Sequence, residues 1–181
     1  ALNLILATHP KLLRRAERTC ASGFKEVVET ADWPETLDAP AGTEGSRRNV
    51  YGVTPEDLNT LERTFARLLD ADLSGTVEYW YRNEPHKPWS VAIALPSGAQ
   101  FFPDFVGKVK GRNRGAGFLL VETKGGYILN SDVPIEKINA EHRLYGPVLM
   151  LTQDAQGRFM TVRYIETSDR CEEDQVFRVE N

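Results

Sequence analysis

The sequence has little of several features that would define a protein class. Its two cysteines, Cys20 and Cys171, lie far apart and show no CxxC spacing, which suggests neither a zinc site nor a disulfide framework. No apolar run approaches the roughly 20 residues of a membrane span, and no basic segment leads into an apolar stretch at the start. We therefore expect a globular protein without a membrane span, located in the cytoplasm.

The chain also lacks an excess of positive charge. Its formal net charge is −4, so any contact with nucleic acid has to come from local basic patches. No GxxxxGKS/T motif occurs, so we expect no ATP site of that type within this chain. The sequence opens on Ala1 where a native start would have methionine, and we expect it to be part of a longer protein.

What is present is the composition of one ordinary domain, with 41% hydrophobic and 27% charged residues in a chain of 181. Residues 1–50 predict a helical segment and a linker, and residues 51–181 the main domain. There, helices are expected from Thr54-Pro55 to about Asp70 and over 133–145. Strands are expected over 76–82, 89–95, 100–109, 117–124, 148–152, 159–165 and 176–179. The pattern predicts an α/β fold with a central mixed β-sheet flanked by helices.

Two of the predicted strands carry charge in apolar surroundings, at Pro103-Asp104 and at Glu122-Thr123-Lys124. Because strand side chains alternate, Glu122 and Lys124 share one face, about 7 Å apart. Buried charges are costly unless they are paired or bound to metal. If the two strands pair, Asp104 and Glu122 converge and offer the oxygen ligands that Mg²⁺ accepts, with the Thr123 carbonyl as a further ligand. Lys124 could then orient a metal-activated water or stabilise charge on a phosphate.

Each of these charges also has an ordinary structural explanation. Glu122 and Lys124 could form a solvent-facing ion pair on an edge strand, and Asp104 could be a turn or cap residue after Pro103. Glu62 lies at the margin of the apolar stripe of the first helix, where it could equally reach water or join the site. The apolar residues around Asp104 and Glu122 favour buried strands.

These motifs resemble those of the PD-(D/E)xK nuclease superfamily. Pro103-Asp104 matches the first half of its motif and Glu122-Thr123-Lys124 the second half. The resemblance implies a restriction-endonuclease-like core and a Mg²⁺-dependent endodeoxyribonuclease, in which Mn²⁺ could substitute. The catalytic residues it implies are Asp104, Glu122, Lys124 and Glu62, the last matching an acid that the family often supplies from the helix before the sheet. The implied metal ligands are Asp104, Glu122, the Thr123 backbone carbonyl and, as an optional fourth, Glu62.

Over about residues 50–180 the chain is similar, more closely, to the nuclease module at the carboxy-terminal end of type III restriction subunits and related DEAD/DEAH-box helicases. The segments that carry this likeness are 59–65, 80–83 and 121–125. The likeness implies DNA as the substrate, a helicase or translocase motor in the same full-length protein, and a role in restriction or phage defence.

Basic and polar residues near the motifs predict a nucleic-acid-binding surface, although a solvated hairpin tip would give the same pattern. The candidates are Lys108, Lys110, Arg112, Arg114, Arg82 and Asn83. Two alternatives to the nuclease stay open. One is a catalytically inactive nucleic-acid-binding or interaction module with a nuclease-like fold, and the other is a metal-dependent phosphohydrolase that acts on small substrates.

Overall fold

The computed structural model describes residues 34–35, 39–111, 117–126, 135–168 and 170–179. The helical segment expected before residue 34 and two of the candidate basic residues, Arg112 and Arg114, lie outside these ranges. In the described part of the chain there are two helices and nine strands. They are, in order, α1 Thr60–Asp70, β1 Val77–Arg82, β2 Ile93–Ala94, β3 Gln100–Phe101, β4 Phe105–Val109, β5 Phe118–Thr123, α2 Ile135–Ile138, β6 Glu141–His142, β7 Gly146–Gln153, β8 Phe159–Ile165 and β9 Arg170–Val176.

Seven of these strands form one sheet, in the order β1-β4-β5-β7-β8-β9, with β6 paired to β7 beside this path. The pair β5–β7 is parallel and every other pair in the sheet is antiparallel. Strands β2 and β3 form a separate two-stranded hairpin. The predicted α/β class with a mixed sheet is therefore confirmed.

Helix α1 packs its apolar stripe on one face of the sheet. Phe65 is fully buried, and its ring meets those of Phe105 and Phe159 edge to face, with centroids 5.2 Å apart in each pair. Burying a phenylalanine side chain contributes about 1.5–3 kcal/mol, and edge-to-face pairs add to that. The opposite face carries a second apolar cluster, which includes Val106 and Leu120 together with the β2–β3 hairpin. The central strands are thus covered on both faces, and their ends are where polar side chains can gather.

Helix α1 begins later than predicted. The expected start at Thr54-Pro55 was wrong because Asn59 caps the helix: its side chain accepts a hydrogen bond from the Glu62 backbone N–H, and the Glu62 carboxylate accepts one from the Asn59 N–H. This reciprocal pair satisfies two donors that a helix start otherwise leaves unpaired. It also fixes Glu62 in the first turn, facing the sheet.

Other predicted elements are shorter, broken or shifted. The strand expected over 100–109 is interrupted between Phe101 and Phe105, the 89–95 strand is reduced to two residues, and the last strand ends at Val176 instead of beginning there. The helix expected over 133–145 covers only Ile135–Ile138 within the described residues. Of the strands, 159–165 matches the prediction at both ends.

The stretch 44–54, which we call the edge segment, lies against the outer side of β1. The Trp80 N–H donates to the Arg48 carbonyl and the Val50 N–H donates to the Trp80 carbonyl, at 2.9 and 3.1 Å. Asp70, the last residue of α1, accepts hydrogen bonds from the Trp80 indole and from the Ser46 hydroxyl. The domain boundary expected at residue 50 stays a prediction, although the edge segment on both sides of it contacts the sheet.

No helix among the described residues has the length and apolar character needed to cross a membrane.

Candidate functional site

The candidate residues gather where β1, β4 and β5 meet. Because β1 and β4 run antiparallel, the last residue of β1, Arg82, lies opposite the first residue of β4, Phe105. Because β4 and β5 also run antiparallel, Phe105 lies opposite Val121, near the end of β5. This register places Asp104 beside the end of β5, and α1 adds Glu62 from above. Residues distant in the sequence are thereby brought to one edge of the sheet.

Asp104 lies just before β4, not inside a strand as predicted. Its Oδ2 atom accepts hydrogen bonds from the Thr123 backbone N–H at 2.8 Å and from the Thr123 hydroxyl at 2.9 Å. Its Oδ1 atom lies 3.3 Å from Arg82 Nη1. Pro103 interrupts the strand here, since it has no N–H to donate. The Asp104 carboxylate takes the place of a strand partner at the end of β5 and joins β4 to β5.

Glu122 is a buried carboxylate, with 5% of its side chain exposed. Its Oε1 atom lies 2.6 Å from Lys124 Nζ, so the structure places the two side chains on one face, as the strand alternation predicts. Burial raises the pKa of the Glu122 carboxyl, and the nearby Asp104 charge raises it further, while the ammonium groups of Lys124 and Lys137 lower it. The Oε2 atom is one of the few buried polar atoms in the described residues that lack a hydrogen-bond partner.

Glu62 divides its carboxylate between two tasks. Its Oε2 atom caps the start of α1 by accepting from the Asn59 N–H at 3.0 Å, and its Oε1 atom lies 3.1 Å from Arg82 Nη1. The side chain is buried, and a buried carboxylate requires this kind of pairing. Of the two positions that the sequence left open for Glu62, in water or in the site, the structure shows the carboxylate facing Arg82.

Three acids and two cations therefore form two neighbouring groups. In one group Arg82 joins Glu62 and Asp104, and in the other Lys124 joins Glu122. Throughout the described ranges, no three histidine, cysteine or acidic side chains converge as a ready-made metal cluster. Asp104 nevertheless accepts two hydrogen bonds from Thr123, the residue that follows Glu122, and one buried oxygen of Glu122 has no donor. Two such carboxylates form a donor set that fits a hard divalent cation.

The predicted nucleic-acid-binding residues are dispersed. Asn83 is 2% exposed, and its amide group bonds to both backbone groups of Val91 and to the Pro103 carbonyl, which argues against a contact with nucleic acid. Lys108 places its ammonium 4.3 Å from the Phe118 ring centroid. It is four residues along from Asp104, or about 13 Å at strand spacing. Lys110 is exposed just beyond β4.

The Thr123 side chain was missed at the level of sequence, and Lys137 was considered for the site but expected to lie on the surface. The Thr123 side chain, predicted to offer only its carbonyl, holds Asp104. Lys137 lies with its ammonium 5.0 Å from the Phe101 ring centroid, and its charge reaches Glu122. The spacing of Asn59 and Glu62 is that of a capping box, which could have predicted the fixed position of Glu62 from the sequence. The position of Lys137 depends instead on how α2 packs against the sheet, which no local pattern predicts.

Comparison of the chain with protein-family models, with curated protein sequences and with solved structures found no match.

Proposed function

We propose that this chain is a metal-dependent endonuclease domain that hydrolyses phosphodiester bonds in DNA. The observation that carries the proposal is the position of Asp104, Glu122 and Lys124 at the ends of neighbouring antiparallel strands, where Asp104 bonds to Thr123 and Lys124 pairs with Glu122. Glu62 supports the site from the preceding helix. On this proposal the mixed sheet with its α1 layer is a restriction-endonuclease-like core, and Mg²⁺, or Mn²⁺ in its place, binds at Asp104 and Glu122.

The residues suit the chemistry of phosphodiester hydrolysis. A divalent ion bound by Asp104 and Glu122 would lower the pKa of a coordinated water and offset charge on the phosphate. Lys124, whose side chain is 30% exposed, can reach from Glu122 toward the phosphate oxygens and stabilise the negative charge that develops as the water oxygen attacks phosphorus. The bond from phosphorus to the leaving oxygen then breaks, and that oxygen takes up a proton. Thr123 orients Asp104 throughout by its two hydrogen bonds.

The wider setting of the proposal rests on the resemblance described above. A helicase or translocase motor in the same full-length protein would deliver DNA to the site, in the cytoplasm, during restriction or phage defence. Lys108 and Lys110 would contact phosphates away from the cut, because Lys108 lies toward the far end of β4 and Lys110 just beyond it. Such contacts position the duplex and do not read its sequence.

One observation favours the alternative of a catalytically inactive binding module. Both oxygens of Asp104 already have partners in Arg82 and Thr123, and Lys124 holds one oxygen of Glu122. A site satisfied in this way could persist for structural reasons alone. Binding of DNA without cleavage in either Mg²⁺ or Mn²⁺ would support the alternative.

Plasmid cleavage tests the proposal. The protein is incubated with supercoiled plasmid and with single-stranded DNA in Mg²⁺, Mn²⁺ or EDTA, beside Asp104→Asn and Lys124→Ala. We expect metal-dependent cutting that falls at least about 100-fold in each variant, as is typical when an electrostatic catalytic group is lost. Arg170→Ala is the control, because Arg170 is exposed at the start of β9, the strand of the sheet order that lies three strands from β5. Undiminished cutting by both site variants would refute the assignment.

A further inference from the structure

Arg82 holds an unusual position, since a single nitrogen atom of its guanidinium faces two carboxylates. Nη1 lies 3.1 Å from Glu62 Oε1 and 3.3 Å from Asp104 Oδ1. The side chain is 17% exposed, and its guanidinium carbon lies 5.9 Å from the Phe105 ring centroid. A cation built into the protein therefore stands between an acid from α1 and an acid at the start of β4.

A divalent cation bound by Asp104 and Glu122 would compete with Arg82 for the Asp104 carboxylate, whose Oδ1 atom faces Nη1. Bonds from Mg²⁺ to carboxylate oxygen measure about 2.0–2.1 Å, so an ion on Asp104 Oδ1 would crowd Nη1, which lies 3.3 Å from that oxygen, and the guanidinium would withdraw. Two positive charges at that separation repel each other strongly in a partly buried site. The arginine and the metal are thus competitors for the Asp104 carboxylate.

The structure offers Arg82 a place to withdraw to. The residue borders a cavity of about 310 Å³ that is also lined by Tyr51, Tyr81 and Glu84. Tyrosine rings and a carboxylate are groups beside which a guanidinium is stable. In its present position, the Nε–H of Arg82 is buried and has no hydrogen-bond partner among the described residues. An unsatisfied donor of this kind lowers the cost of leaving.

We propose that Arg82 is the resident counter-cation of the site, which neutralises Glu62 and Asp104 without metal and which a divalent ion displaces toward the cavity. Arg82 thereby sets the affinity of the site for metal. The inference rests on the proposed function insofar as it takes Asp104 as a metal ligand. It goes beyond that function by assigning Arg82 a place in metal loading, where sequence alone suggested a contact to nucleic acid.

Binding of Mn²⁺ in the absence of nucleic acid tests the inference. The free ion is quantified by electron paramagnetic resonance for the wild type, Arg82→Gln and Arg82→Lys. We expect Arg82→Gln to lower the dissociation constant about tenfold or more, because a competing charge is removed, and Arg82→Lys to stay near the wild type. Arg48→Gln is the matched control, since Arg48 is a part-buried arginine paired with Asp72 away from the site.

Thermal unfolding provides the second measurement. Without its arginine the site holds two uncompensated carboxylates, so Arg82→Gln should melt at a lower temperature than the wild type in EDTA and recover more of its stability with Mn²⁺. The inference is overturned if folded Arg82→Gln binds Mn²⁺ no more tightly than the wild type. It is also overturned if Arg82→Gln stays unfolded in saturating Mn²⁺, or if neither the wild type nor the variants bind the ion. The cleavage assay uses protein with Arg82 intact, so the proposed nuclease activity and the proposed role of Arg82 can be refuted independently.

Discussion

Asn83 connects the end of β1 to the segment that carries Asp104. Its amide donates to the Val91 and Pro103 carbonyls at 2.9 and 2.8 Å and accepts from the Val91 N–H at 2.9 Å. Asn83→Ala removes these three buried hydrogen bonds and leaves three backbone groups without partners. At about 1 kcal/mol for each bond, and more for each group left unsatisfied, the free energy of unfolding should fall by about 3–5 kcal/mol.

Urea denaturation followed by circular dichroism measures that loss. Asn139→Ala is the control, because Asn139 is exposed after α2 and its removal should change the free energy of unfolding by less than about 0.5 kcal/mol. The variant also loses the hydrogen bond to the Pro103 carbonyl, which holds the chain next to Asp104. We therefore expect the cleavage rate of Asn83→Ala to fall even at temperatures where the variant is still folded. A loss of stability below about 1 kcal/mol would refute the reasoning.

Two further predictions concern the acids of the site. Because burial raises the pKa of the Glu122 carboxyl above its ordinary 4.5, the folded protein keeps a proton there that the unfolded chain releases, and the group's contribution to stability is lost as the pH rises through the folded pKa. Glu122→Gln should therefore gain stability relative to the wild type as the pH rises above 4.5, measured by urea unfolding in EDTA; a pH-independent difference would contradict this. Asn59→Ala removes the cap of α1 and should cost about 1 kcal/mol in the same assay. Cleavage by the folded variant should stay near the wild type, because the backbone N–H of residue 59 that holds the Glu62 carboxylate is retained, and a large loss of activity would show that Glu62 depends on the side-chain cap.

The local parts of the fold could be read from the sequence, because they depend on neighbouring residues. Alternation placed Glu122 and Lys124 on one face, and strand β8 was predicted to its ends. The start of α1 was predicted at Thr54 because Thr54-Pro55 is a common helix start, but the helix is capped instead by the reciprocal hydrogen bonds of Asn59 and Glu62. The last strand was predicted too late in the sequence, because the exposed acidic side chains of β9 give no alternation of apolar and polar residues.

The arrangement of the site could be predicted only in part, since it depends on strand register. The expected hairpin of the two acid-bearing strands does occur as β4–β5. The engagement of Arg82 by two carboxylates depends on the pairing of Arg82 with Phe105 and on the position of α1, which brings Glu62 to Arg82. Neither follows from local spacing. Asn83 was expected to face nucleic acid because an exposed amide and a buried one look the same in sequence.

The edge segment, described above as lying against β1, has a consequence for self-association. An uncovered outer strand presents unpaired N–H and carbonyl groups that can recruit a strand from another molecule. By bonding both backbone groups of Trp80, Arg48 and Val50 occupy the positions on β1 that such a strand would take. At the opposite side of the sheet, β9 carries Glu172 and Glu173 exposed, and like charges repel a second copy there. The molecule thus resists edge-to-edge stacking by steric cover on one side and by electrostatic repulsion on the other.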